Sequence, residues 1–139
     1  MSDVLFTSHA TAKGGRDGHV KSDDGIIDLN LVNPAGGSKE KGTNPEQLFA
    51  AGYAACYDGA LNLKASNRNK EIDSTITADV SFLKDQSDNG FKIGVTLNVE
   101  IKGVSQSEAE ELAEEAHEFC PYSKATRGNI DVNLNVKAV

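Results

Sequence analysis

A helix almost without side chains constrains this fold more than any other feature. In NPEQLFAAGYAACYDGALNLKASNRN (residues 44–69), Asn44 is suited to cap a helix and Pro45 to occupy its first position, where a missing N–H costs nothing. The helix should run to about Asn69. Its middle carries Ala50, Ala51, Gly52, Ala54, Ala55, Gly59 and Ala60. Each interior glycine costs about 1 kcal/mol against alanine, so tertiary burial must drive the helix. Small residues also let another backbone approach closely. This spacing predicts a helix at the centre of the fold.

Strands surround it. Val4–Lys13 alternates loosely, GGRDG (Gly14–Gly18) has turn chemistry, His19–Ser22 reads as a short return strand, and Ile26–Val32 alternates more clearly. Together they predict an antiparallel meander, followed by a polar loop over Asn33–Thr43. Ser74–Lys84 and Phe91–Lys102 alternate on either side of DQSDNG and predict a hairpin. Ser105–Phe119 reads as a second helix, with a capping box at Ser105/Glu108 or Ser107/Glu110 and an apolar stripe of Ala109, Leu112, Ala113, Ala116 and Phe119. Pro121 should stop it, and Val132–Val139 should close the chain as a strand. The expected order is βββ-α-ββ-α-β, a single α+β domain over residues 1–139.

The formal charge of −7 makes phosphate backbones and anionic lipid poor partners, so neither nucleic acid nor membrane is expected. Six glutamates between Glu108 and Glu118 read as a solvated helix face. MSDVLFTSHATAKGG has no apolar leader, and no stretch approaches the roughly 18 apolar residues of a membrane helix, which points to the cytosol. There, cellular thiols keep idle cysteines reduced. The chain's two cysteines, Cys56 and Cys120, are therefore bystanders, metal ligands or a working redox pair.

Cys56 lies in the small-residue helix, where a free cysteine is most often one more small core residue. Cys120 falls at the end of the second helix, where the dipole disfavours a thiolate, so it suits a resolving role better than a first attack. If Cys56 is the nucleophile it needs a cation. Arg16, the only arginine ahead of the central helix, sits at the tip of the Gly-flanked turn and is the candidate. Glu46, in the first helical turn, is favoured there by the dipole alone and could also orient Arg16. Ten helical residues separate it from Cys56, roughly 15 Å along the axis and about 80° around it. Either Glu46 precedes the regular helix, or it meets Cys56 from a second subunit in a homodimer with antiparallel central helices. The latter is the preferred expectation.

Other constellations carry less. His117-x-x-Cys120 has metal-ligand spacing but no second pair to complete a tetrahedron. A cysteine hydrolase using His9, His19 or His117 would lack a defined oxyanion hole. GGRDG lacks the strand–turn–helix setting of a phosphate loop.

GGRDG, TNPEQLFAAGYAAC and CPYSKATRGNI together resemble the organic hydroperoxide resistance (Ohr) branch of the OsmC/Ohr family, and the likeness runs from the first strand to the last. The resemblance implies two antiparallel sheets wrapped around central helices in an intertwined homodimer with two equivalent active sites. It implies a thiol peroxidase that reduces organic hydroperoxides to alcohols, with Cys56 peroxidatic, Cys120 resolving, and Arg16 and Glu46 activating. A Cys56–Cys120 disulfide would form through a Cys56 sulfenic acid and be reopened by an external dithiol, dihydrolipoamide or a lipoylated protein, with no bound cofactor or metal. Phe49, Tyr53, Phe119 and Tyr122 are candidates for an apolar substrate pocket; plain core packing is their alternative role. Tyr57 replaces a common phenylalanine, and Asp58 and Lys124 replace commoner uncharged residues. A carboxylate beside Cys56 would raise its pKa, but helical phase should turn Asp58 away. The competing expectations are an OsmC-type peroxidase of broader specificity, a non-enzymatic redox sensor and a metal-binding domain.

Overall fold

A computed structural model describes residues 2–139, so Met1, included in the single-domain reading, lies outside the described residues. The chain divides into two compact units, one up to Leu48 and one from Phe49 to Val139. In the first, β1 (Ala10–Lys13), β2 (His19–Ser22) and β3 (Asp28–Asn30) form an antiparallel sheet in that order. Residues 4–9, expected to extend the first strand, are exposed and lie outside β1, although the His9 carbonyl still accepts from the Asp23 N–H at 3.2 Å. A single 3-10 turn over Gly15–Asp17 reverses the chain between β1 and β2. Gly14 and Gly15 hold φ of 84° and 61°, and a Cβ on Gly18 would sit 1.8 Å from the Lys13 carbonyl oxygen. The turn that presents Arg16 therefore tolerates no side chain at Gly18.

Helix α1 (Pro45–Asn67) begins as expected: the Asn44 side chain accepts from the Gln47 N–H at 2.8 Å. It ends two residues early. Asn69 takes φ 56°, the Lys70 N–H bonds back to the Ala65 carbonyl and the Asn69 N–H to that of Ser66, a Schellman closure with asparagine in the usual glycine position.

In the second unit, β4 (Asp73–Asp85) and β5 (Gly90–Lys102) form the expected hairpin, and β6 (Val132–Ala138) pairs with β5. That last pairing is parallel, so this sheet is mixed rather than antiparallel. The connection from β5 to β6 runs through α2 (Gln106–Phe119), a crossover that brings the chain back in its starting direction. Ser105 caps α2, accepting from the Glu108 N–H at 3.2 Å. Pro121 does not end the helical path. It opens a further short helix, α3 (Pro121–Thr126), and Cys120, at φ −61° and ψ 127°, is the one extended residue between α2 and α3.

The core joins one face of α1 (Tyr53, Tyr57, Ala60, Leu61, Ala65), the alternate residues Val95, Leu97, Val99 and Ile101 of β5, and Ala109, Leu112, Ala116 and Cys120. The small residues expected to admit another backbone divide between two faces of α1, and one face is open. Ala51, Ala55 and Gly59, spaced one turn apart, lie exposed, and nothing lies within 4 Å of where a Gly59 Cβ would stand. Among the described residues, no helix is long and apolar enough to cross a membrane.

Candidate functional site

In the first unit, the Arg16 guanidinium grips Glu46 with two parallel bonds, Nη1 to Oε1 at 2.8 Å and Nη2 to Oε2 at 3.0 Å. This fork-to-fork geometry fixes the guanidinium plane as well as neutralising the carboxylate. The bonds to Arg16 hold the Glu46 carboxyl below its usual range. Because that pKa is lowered on folding, the pair's contribution to stability is full above the ordinary glutamate pKa and is lost as pH falls through the depressed value. Glu46 belongs to the first turn of α1, which removes the option that it precedes the helix. Its partner is Arg16 rather than Cys56, so the spacing argument for a second subunit loses its premise.

In the second unit, the Cys56 and Cys120 sulfurs lie 3.5 Å apart, with the Cys120 thiol donating. Both are free thiols, Cys56 half-buried and Cys120 fully buried. A disulfide needs about 2.05 Å, so roughly 1.5 Å of closure would join them. Burial pushes the Cys56 thiol above its ordinary pKa; the Tyr122 backbone N–H opposes this, and the adjacent Cys120 sulfur adds to it. That N–H is one of those left without a helical partner at the start of α3. Asp58 turns away, as helical phase requires: it accepts from Ser74 Oγ at 2.5 Å and from Asn62 Nδ2 at 3.1 Å.

Three of the four expected pocket residues meet. The Phe49, Tyr53 and Tyr122 rings are in mutual contact, with centroids 5.9, 6.0 and 5.8 Å apart. Phe119 does not join them. It is 52% exposed, and Lys64 Nζ lies 4.4 Å from its ring centre. Gly52 explains how Tyr122 can lie against α1: a Cβ there would stand 3.0 Å from the Tyr122 hydroxyl oxygen and 3.2 Å from a ring carbon. Gly52→Ala should gain helix propensity yet displace the Tyr122 ring, and with it the N–H aimed at Cys56. The expected outcome is a raised Cys56 pKa by thiol-specific alkylation against pH, with little change in melting temperature.

Sequence reasoning missed a buried polar cluster beside the thiols. Tyr53 Oη lies 2.7 Å from Ser123 Oγ and 3.1 Å from Thr126 Oγ1, and His117 Nδ1 lies 2.8 Å from Ser123 Oγ. Arg127 donates to the His117 carbonyl, and Tyr57 donates to the Ala113 carbonyl at 2.7 Å. No local signal marks it, because the break at Cys120 puts His117 on α2 and Ser123 on α3, and Tyr53 lies 70 positions before Ser123.

The OsmC-like protein family model matches residues 36–135. The chain belongs to the OsmC-like family. Within it, the chain stands in the Ohr branch. It is 60% identical to organic hydroperoxide resistance protein OhrB of Bacillus subtilis strain 168, over 96% of this chain and 99% of that one. It is 53% identical to OhrA of the same organism, over 98% and 99%. The crystal structure of Bacillus subtilis OhrB superposes with a TM-score of 0.92 at 59% identity, covering 95% of this chain and 98% of that one. The α+β class and the OsmC-like architecture expected from the sequence hold.

Proposed function

We propose that the chain is a thiol peroxidase that reduces organic hydroperoxides to alcohols. The observation that carries this reading is the pair of free thiols in contact, one half-buried and one fully buried. The Cys56 thiolate attacks the distal peroxide oxygen, the O–O bond breaks, and the alkoxide leaves to take up a proton as alcohol. Cys56 becomes a sulfenic acid. Cys120 then attacks that sulfur, forming the disulfide and releasing water. A dithiol, lipoyl in character, returns both cysteines to thiols and is itself oxidised. Since burial raises the Cys56 pKa, a cation has to offset it, and Arg16, oriented by Glu46, takes that role. Phe49, Tyr53 and Tyr122 give the alkyl chain an apolar wall.

The cytosol is the proposed location and a homodimer the proposed assembly. The exposed small-residue ridge of α1 supports the homodimer, as do Val4, Leu5, Phe6 and Ile26, each at least 79% exposed. The test compares turnover of cumene hydroperoxide with that of hydrogen peroxide, using dihydrolipoamide and then thioredoxin as reductant. The expected result is an organic preference of at least about a hundredfold, about 2.7 kcal/mol of transition-state discrimination, with dihydrolipoamide the better donor. Equal rates would indicate a broader OsmC-type peroxidase, and a single stoichiometric oxidation a sensor.

A further inference from the structure

We propose that Ser123 and His117 are positioning residues that strap Cys120 to Cys56 through the Tyr53–Ser123–His117 hydrogen-bond chain. This deepens the peroxidase reading and rests on it for its biological use. The strap runs one helical turn away from the thiol pair. Tyr53 precedes Cys56 by three residues on α1, His117 precedes Cys120 by three on α2, and Ser123 follows Cys120 by three on α3. Tyr53 and Cys56 share a face of α1, while His117 and Ser123 flank the extended Cys120, one from the last turn of α2 and the other from α3.

The contact between His117 Nδ1 and Ser123 Oγ, at 2.8 Å, closes the chain around Cys120 and fixes the angle at which α3 leaves α2. The Tyr53–Ser123 bond, at 2.7 Å, then ties that corner to α1. Thr126 adds a second link to Tyr53 at 3.1 Å and donates to the Ser123 carbonyl at 3.2 Å. Tyr53 and Ser123 are fully buried and Thr126 is 5% exposed. Apolar packing alone would hold α3 against α1 but leave it free to slide or rotate slightly. Directional bonds between buried hydroxyls remove that freedom. They act where Cys120, the extended residue between two helices, is tied by its backbone alone, its N–H to the Ala116 carbonyl and its carbonyl from the Lys124 N–H, bonds that leave its side chain unfixed. The effect is a high local concentration of one thiol at the other.

The test is equilibration of the reduced full-length protein with glutathione and glutathione disulfide. One glutathione disulfide becomes two thiols as Cys56 and Cys120 join, and alkylation with mass spectrometry reads the ratio. In Ser123→Ala the constant for disulfide formation should fall about tenfold, equivalent to about 30 mV. His117→Leu and Thr126→Val should shift it in the same direction. His117→Asn, which restores a polar atom near the Nδ1 position, should return toward wild type. Constants within about twofold of wild type in all three disruptive variants overturn the strap, even if melting temperatures drop. Should Ser123→Ala fail to fold, His117→Leu and Thr126→Val decide by the same criterion. Peroxide does not enter this measurement. A chain that consumes no hydroperoxide would sink the peroxidase reading and leave the strap to be judged here, and the converse also holds.

Discussion

Replacing Cys56 with serine is expected to lower organic hydroperoxide consumption at least about a thousandfold, the scale of loss when a covalent nucleophile is removed. The side chains differ little in size, and Tyr122 still offers its N–H at that position, so the fold should survive. What disappears is an atom that can be an anion near neutral pH and attack a weak O–O bond; a serine hydroxyl cannot. Cys120 cannot substitute, because it is fully buried. Peroxide loss followed with an iron-based dye checks the result, and wild-type consumption by Cys56→Ser would move the chemistry off this sulfur. The wild-type pH profile refines it. Burial raises the Cys56 pKa, so with nothing to offset it the rate should climb through neutral pH as the thiol ionises. A flat profile there would mean that a cation already holds the anion, the role proposed above for Arg16.

Much of the fold is legible in the sequence because the relevant signals are local. The Asn44 cap, the Ser105 cap, the β4–β5 hairpin and the buried alternation of β5 follow from turn chemistry and from periodicities of two and 3.6. The Arg16–Glu46 contact is legible only as a possibility, which the motif resemblance strengthens, since thirty residues separate the pair. Four features escape. Alternation in residues 132–138 marks a strand but not its direction; the intervening helix is the available clue that β6 returns parallel. Pro121 reads as a stop, although proline fits the first turn of a new helix equally well, and α3 carries the polar cluster that seats Cys120. Nearness to Cys120 in sequence places Phe119 in the pocket, yet a step of one residue turns a helical side chain by about 100°. The small-residue composition of α1 points to a central helix but cannot say which face its own chain covers. Tyr53, Tyr57 and Leu61 take the inner face, leaving Ala51, Ala55 and Gly59 outward.

Cys120→Ser should separate the two halves of the reaction. Its first oxidation should proceed at the wild-type rate or slightly faster, since the neighbouring thiol is one of the influences that raise the Cys56 pKa. The fate of the oxidised sulfur should differ sharply. With no second sulfur 3.5 Å away, the Cys56 sulfenic acid has no internal partner. It should persist, be trapped by dimedone, and under excess peroxide progress to sulfinic and sulfonic acids that thiols do not reverse. Steady-state turnover with a dithiol should fall at least about tenfold, because direct reduction of a half-buried sulfenic acid replaces attack by a thiol already in contact. Mass spectrometry after one equivalent of cumene hydroperoxide should find wild type as disulfide and the variant with one added oxygen. Unimpaired multiple turnover by Cys120→Ser would remove Cys120 from the mechanism. A slowed first oxidation would instead mean that the Cys120 thiol, donating to Cys56, helps to stabilise the attacking anion.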